Sequence, residues 1–577
     1  MSVTCLRGET TSLTARIRQW AITKPNDLAF VFLADGENET GHISFGELDD
    51  KARRLGGRMM RAGLSGQPVL LPAQNGPGFI LGLCGCLYAG AIAVPIPIQV
   101  RNRGKERIRS IVRDAGIVAV LGTDPSAALH LTELIPGISS LSIDDLEDEP
   151  AFVAACDPQR PAVLQYTSGS TSAPKGVVIT HRNLTANIVM LSEAFGVHSG
   201  SRVLTWLPLF HDMGLIGNVL PALHCGVPCV VMPPLTFLQK PRRWLEAIDR
   251  HRITISGAPN FAYELCVRRR GDGPLDRLDL SGWELALCGA EPVRVSTMQR
   301  FVEAFAGAGF REGALYPCYG LAEATVFVSG GRVGQGVKVL TPDAPVARAL
   351  VSCGRPPLTG PVTIVDPDSC EPVPDGCEGE IWVCGDHVAA GYWNDAAATA
   401  ATFSATLPQC QGAFLRTGDL GLKWKGELYV TGRRKNLIIH RGINLHPEDI
   451  ESTIGASHPG FGVIGAAFSI EVHDEEQVVV VYEVPLPMIR DLDMRTMVDN
   501  ALDSVALEHG VRLFDLLLVR LGAVPRTTSG KVQRDRCRTL YLSGDLARVA
   551  HASHHPSLGR YQTAVAHNPV GNEILIR

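Results

Sequence analysis

The sequence predicts an α/β fold: a large N-terminal domain of helix-sandwiched sheets with a small β-rich subdomain, then a small α+β C-terminal domain. Three observations predict it. Helical patterns alternate with short β-branched runs through the first part of the chain. From Pro361 the texture changes to short strands in close succession. After Lys435 comes a final unit of about 110 residues, again mixed. The expected division is therefore residues 1–434 and 435–577.

Each element follows from its pattern. SFGELDDKARRLGGRMMRAG (Ser44–Gly63) has helical spacing, and QPVLLPA after it reads as a strand. GFILGLCGCLYAGAIAVPIPI lies at the heart of an uncharged stretch, around Gly76–Val100, nearly long enough to span a bilayer. Pro95 and Pro97 break it and small residues dominate it. It is predicted as a buried helix, Gly78–Gly90, followed by a buried strand, not as a membrane span. PAVLQY and GVVIT read as strands, with the next helical pattern starting near Arg182. The alternation recurs at RWLEAIDRHR then ITISGAP, and at WELALCGAEPV then a helix through Phe305. VTIVD, GEIWVCG and ELYVTGR form the β-rich part. In the last unit VIGAAFSI and QVVVVYEVP are strands, and HPEDIESTIG and MRTMVDNALDSVALEH are helices. The tail HASHHPSLGRYQTAVAHNPVGNEILIR is poorly patterned, and its histidines read as solvated rather than metal-binding.

Bulk properties narrow the class. Of 577 residues, 45% are hydrophobic and 20% charged, as in a soluble globular protein. A net charge of −5 and a pI of about 6.4 give no sign of a nucleic-acid partner. The 15 cysteines are scattered, without C-x-x-C pairs or zinc-ligand spacing. That usage fits reduced thiols, and the N-terminus has no apolar signal segment, so a cytoplasmic location is expected.

Tyr166–Val177, YTSGSTSAPKGV, gathers five Ser/Thr hydroxyls, two glycines and a lysine in a dozen residues. Such a loop offers donors to phosphate. It is not a Walker loop: Pro174 stands where that pattern needs glycine, and Gly176 follows Lys175 where it needs a hydroxyl. Its flanks are two strand-like runs, whereas a Walker loop opens a helix.

Seven further segments follow in order: WLPLFHDMGLIG, SGAPNFAYEL, CGAEPV, CYGLAEAT, RTGDLG, GRRKNLIIHRGINLHPEDIE and PRTTSGKVQR. The ordered set, from about Ile43 to Leu542, resembles the adenylate-forming superfamily of acyl- and aryl-CoA synthetases, peptide-synthetase adenylation domains and luciferases. WLPLFHDMGLIG, FLQKPRRWLEAI, GAPNFAYELCVRR and RGINLHPEDIE look like the fatty acyl-AMP ligases. The resemblance implies an enzyme that uses ATP and Mg²⁺ to convert a fatty acid to its adenylate. The acyl group then passes to the phosphopantetheine thiol of an acyl carrier protein or polyketide synthase.

Residue roles come with that resemblance. Thr167, Ser168, Gly169, Ser170, Thr171 and Lys175 would cradle the β- and γ-phosphates, on a loop mobile in the family. Glu323 would help hold Mg²⁺. Tyr319 would stack on adenine beside Gly320, and Gly289, Ala290 and Glu291 would form the adenine-pocket turn. Asp419 would take both ribose hydroxyls, with Arg433 beside it. His211 matches the gate between nucleotide and acyl tunnel, although a lone histidine is ordinarily structural. Lys531 would be inserted between carboxylate and α-phosphate by a mobile C-terminal domain hinged at Lys435. The residue after the hinge is commonly Asp in the family; here it is Asn436. Gly331–Pro356 stands where the acyl-AMP ligases carry an insertion thought to disfavour CoA, but it is short and also reads as a surface loop. An acyl-CoA synthetase and a non-catalytic adenylate-binding protein are the alternatives. No D-S-L phosphopantetheine site occurs, so the acceptor is expected on another polypeptide.

Overall fold

A computed structural model describes residues 11–546, except 98–101, 124, 168–173, 271–276, 341–348, 409–411, 441–442, 463, 473–474, 486–493 and 528–529. Ser168, Gly169, Ser170, Thr171, the middle of Gly331–Pro356 and the histidine-bearing tail lie outside the described residues. The chain forms two compact units. The second takes Thr431 onward together with Gly418–Leu420, so the division falls inside the strand Glu427–Arg433.

Two largely parallel sheets build the first unit. The six-stranded sheet runs Ser139–Ser142, Ala119–Gly122, Pro68–Ala73, Ile92–Pro97, Pro161–Tyr166 and Gly176–Thr180, with only the last strand antiparallel. The eight-stranded sheet runs Ser329–Gly330, Leu315–Tyr319, Leu285–Cys288, Ile255–Ala258, Val203–Thr205, Cys229–Val231, Leu28–Phe32 and Gly41–Ser44. Its six inner strands are parallel and its two edges antiparallel. Parallel inner strands need cover on both faces, which is why their sequences are nearly continuous apolar runs.

The helix predicted from Ser44 spans Phe45–Arg61. Ser44 and Glu47 close a reciprocal capping box at its start. Leu48, Ala52, Leu55 and Met59 recur on one face and are buried. The uncharged run resolves as predicted, into helix Pro77–Ala89 and strand Ile92–Pro97. That helix is buried all round from Phe79 to Ala89. Its 13 residues are too few to cross a bilayer, and no described helix is long and apolar enough to do so. A Cβ on Gly85 would stand 2.5 Å from Leu55 Cδ2, so the glycine permits the close approach of the two helices.

A four-stranded sheet of Val362–Val365, Gly379–Val383, Leu415–Trp424 and Glu427–Arg433 forms the β-rich part. Between Gly331 and Pro356 the described residues make a short hairpin, Val339–Leu340 with Leu350–Val351. Leu340 and Leu350 pack on Leu422 and Tyr429, and Lys338 and Arg355 both reach Glu427.

The second unit holds the hairpin Ile438–His440 with Ile443–Leu445 and a three-stranded sheet, Gly465–Val472, Glu475–Val484 and Asp515–Arg520. Helices Pro447–Ser457, Met494–His509 and Arg534–Leu542 accompany it. Buried Glu451 accepts from Arg534 Nε and Nη2, each at 2.8 Å, and Glu448 takes Nη1 at 2.8 Å.

Two buried histidines make the first unit acid-sensitive. Burial pushes His224 and His387 down to about 4 from an ordinary 6.5. Neither ring nitrogen of His387 has a hydrogen-bond partner among the described residues. Well above pH 6.5 both histidines are neutral whether folded or unfolded, and the fold keeps its full stability. As pH falls from 6.5 toward 4, only the unfolded chain gains the protons, and stability is lost. Between pH 7.5 and 5 each histidine is expected to cost about 2 kcal/mol. Urea midpoints at the two pH values check this, and His387→Leu should remove that residue's share of the slope.

Candidate active site

The candidate phosphate loop joins the two strands of an antiparallel pair. Pro161–Tyr166 and Gly176–Thr180 run antiparallel with Tyr166 opposite Gly176, and Thr167 N donates to Lys175 O at 3.2 Å. The helix His181–Ala194 begins only after the second strand, capped by Thr180. Rejection of the Walker pattern therefore agrees with the backbone. Helix Asn102–Ala115 steadies the loop's base: Arg107 donates to Thr167 O at 3.0 Å, and Tyr166 OH to Asp114 at 2.5 Å.

Glu323 sits in a tight turn after the strand Leu315–Tyr319. Gly320 opens that turn. A Cβ there would meet Val326 O at 1.6 Å, so no side chain fits. Thr325 adopts φ +66°, a conformation β-branched residues avoid, and its hydroxyl donates to His387 O at 2.6 Å. Ala389 N donates to Glu323 O at 2.9 Å. These bonds fix the turn, and Tyr392 OH then donates to Glu323 Oε1 at 2.9 Å. The Lys175 ammonium lies 4.8 Å above the same Tyr392 ring and 3.7 Å from Asp395. Lys175 and Glu323 are thus brought onto one tyrosine.

Parallel strands place the remaining first-unit candidates at the carboxyl ends of one sheet, where open α/β sheets bind ligands. Gly289 and Ala290 follow the strand Leu285–Cys288; Gly289 backs onto Cys318, and Ala290 adopts φ +66°. Glu291 points its carboxylate at Phe261 N, 2.6 Å away, at the start of helix Asn260–Arg268. Its visible task is to anchor the SGAPN turn. Tyr319 ends its strand and is buried. His211 Nδ1 lies 2.7 Å from Asp212 Oδ1, and the neighbouring Phe210 O takes Gln165 Nε2 at 2.8 Å, from the strand that leads into the phosphate loop. A π-helical turn, Leu215–Val219, follows.

In the second unit Arg433 Nε donates to buried Asp419 at 2.6 Å, and Lys435 is exposed. Lys531 closes a small turn: Thr527 N donates to Lys531 O at 2.7 Å, and Lys531 N to Thr527 Oγ1 at 3.0 Å. Glu483 holds the approach to this turn by accepting from Gly522 N at 2.8 Å and Val524 N at 3.0 Å.

The donor set suits magnesium better than a closed protein cage. Among the described residues no group of three or more His, Cys, Asp or Glu converges. A single oriented carboxylate such as Glu323 would fit Mg²⁺, whose shell phosphates and waters would complete. Glu323→Gln keeps the Tyr392 bond and removes the charge. ATP–pyrophosphate exchange at limiting Mg²⁺ is expected to fall by roughly ten-fold or more, with an unchanged thermal midpoint. Unaltered exchange would count against the ligand role.

Sequence reasoning missed Tyr392, Asp395 and Arg107. Tyr392 stands 69 residues from Glu323, and nothing in GYWND marks its hydroxyl or its ring for either charged partner.

Residues 17–393 match the family described as AMP-binding enzyme. A medium-chain-fatty-acid–[acyl-carrier-protein] ligase, JamA of Moorena producens, is 41% identical over 551 residues, covering 90% of this chain and 93% of JamA. A putative fatty-acid–CoA ligase, FadD21 of Mycobacterium tuberculosis, is 36% identical, covering 93% and 99%. The crystal structure of a fatty acid AMP ligase from Legionella pneumophila matches with a TM-score of 0.70 at 36% identity, covering 94% of this chain and 97% of that one. The chain belongs to the AMP-binding enzyme family, among its adenylate-forming fatty-acid ligases.

Proposed function

We propose that the protein activates a fatty acid with ATP, giving acyl-adenylate and pyrophosphate, and passes the acyl group to the phosphopantetheine thiol of an acyl carrier protein or polyketide synthase. The observation that carries the adenylation reading is the pairing of Lys175 and Glu323 on Tyr392 beside the phosphate hairpin. The fatty acid and the carrier acceptor are supported by the names of the relatives.

The chemistry needs no covalent nucleophile on the protein. A carboxylate oxygen attacks the α-phosphorus, the bond to the β-phosphate oxygen breaks, and a mixed anhydride forms. Two anions must be brought together, so the protein's task is to align them and offset their charge. Thr167 and Lys175 would hold the departing phosphates, and Glu323 would hold Mg²⁺, which offsets phosphate charge when bound. Asp419, steadied by Arg433, offers two acceptor oxygens suited to a ribose diol. Gly289, Ala290 and Tyr319 would receive the adenine, His211 would stand at the acyl entrance, and Lys531 would meet the carboxylate and α-phosphate. Lys435 is the proposed hinge, and the cytoplasm the proposed location.

Mass spectrometry of products from ATP, a set of fatty acids, and either CoA or candidate carriers tests the proposal. Acyl-carrier product without acyl-CoA is expected. Acyl-CoA as the main product would overturn the acceptor, and no fatty-acid-dependent release of AMP would overturn the whole reading.

The candidate insertion is tested alongside. Its described ends are tied into the first unit through Leu340, Leu350 and Glu427, so removing all of it would expose a packed cluster. Replacing only residues 341–348 with two glycines avoids this. Acyl-CoA formation is expected to rise; no gain in the folded variant would make the segment a plain surface loop.

A further inference from the structure

Four side chains in the first unit form one connected cluster. Tyr392 OH donates to Glu323 Oε1 at 2.9 Å. The Tyr392 ring lies beneath the Lys175 ammonium at 4.8 Å. Asp395 Oδ2 stands 3.7 Å from that ammonium, while Asp395 Oδ1 caps helix Ala396–Phe403 through Ala398 N at 2.9 Å. Tyr392 has little freedom. Its backbone bridges to Val177 on the returning strand of the phosphate hairpin, its N–H donates to Thr399 Oγ1 at 2.9 Å, and its ring meets Phe403 edge-on at 5.2 Å.

We infer that Tyr392 is a positioning residue for both Glu323 and Lys175, and that Asp395 is the counter-charge Lys175 leaves when a triphosphate arrives. The inference rests on the adenylation reading above.

The physical argument is one of competition. An ammonium over an aromatic face and beside a carboxylate is favourably placed without ligand. The Lys175 and Asp395 side chains are each 41% exposed, so the pair is weak and easily exchanged for a polyphosphate. Asp395 therefore opposes ATP binding through its charge. Tyr392 acts in the other direction. Its hydroxyl holds one oxygen of Glu323, so the carboxylate is aimed before a metal ion reaches it.

Two conservative variants separate these roles because they are expected to move opposite quantities. Asp395→Asn keeps a good helix cap and loses the charge. It should tighten binding of metal-free ATP, measured by calorimetry in EDTA, by roughly two- to five-fold, as for an exposed ion pair. Tyr392→Phe keeps the ring under Lys175 and loses the hydroxyl. It should leave metal-free ATP binding unchanged. The Mg²⁺ concentration that half-saturates exchange should rise roughly ten-fold, as for a lost hydrogen bond to a charged group. Thermal midpoints confirm that both variants fold. Unchanged or weaker ATP binding in Asp395→Asn overturns the counter-charge role. An unchanged Mg²⁺ requirement in Tyr392→Phe overturns the positioning role. Absence of fatty-acid-dependent exchange in the wild-type protein would instead remove the adenylation reading itself.

Discussion

Lys531→Ala is expected to lower ATP–pyrophosphate exchange by roughly 10²- to 10³-fold, the effect of removing one preorganised charge from a reacting centre. Transfer from synthetic acyl-adenylate to the thiol should be largely spared. Adenylation gathers a carboxylate and a triphosphate at one phosphorus, where a cation offsets the most charge. Thioester formation starts after pyrophosphate has left and has less charge to offset. The backbone of the Thr527–Lys531 turn is closed by its own hydrogen bonds, so alanine removes the ammonium and little else. Equal losses in the two half-reactions would show that Lys531 is structural or serves both.

Arg534→Ala is expected to destabilise the second unit by about 3–5 kcal/mol, because it strands Glu448 and Glu451 without their shared cation. The three contacts are at 2.8 Å, and the Arg534 and Glu451 side chains are 13% and 5% exposed, so water cannot take the arginine's place. Chemical denaturation measures the loss. Adding Glu451→Gln to Arg534→Met should recover part of it, since the buried charge then disappears with its partner. A shift below about 0.5 kcal/mol for Arg534→Ala would mean that the unit relaxes around the carboxylates.

The elements easiest to read from sequence were those whose local signals agree. Phe45–Arg61 has a capping box and a helical apolar face, and it appears almost at the predicted bounds. The uncharged run was assigned by its prolines and small residues, and Pro77–Ala89 and Ile92–Pro97 follow that assignment. Harder were features made by long-range contact. Val339–Leu340 is a strand only because Leu350–Val351 pairs with it. The link from Glu323 through Tyr392 to Lys175 joins segments far apart in sequence, so no spacing rule announces it. Glu291 is a further case: its Oε1 accepts from Phe261 N, a contact 30 residues away that its motif does not announce.

The hairpin form of the phosphate loop has a consequence for turnover. A loop that opens a helix lends bound phosphate the positive end of the macrodipole. Here the helix starts at His181, and its first three amides are already taken, by Arg160 O, Pro158 O and Thr180 Oγ1. On the adenylation reading, the polyphosphate would then be held without a helix terminus, by Thr167, Lys175 and its own metal ion. A reaction that has to discard pyrophosphate in every cycle would gain from so loose a grip.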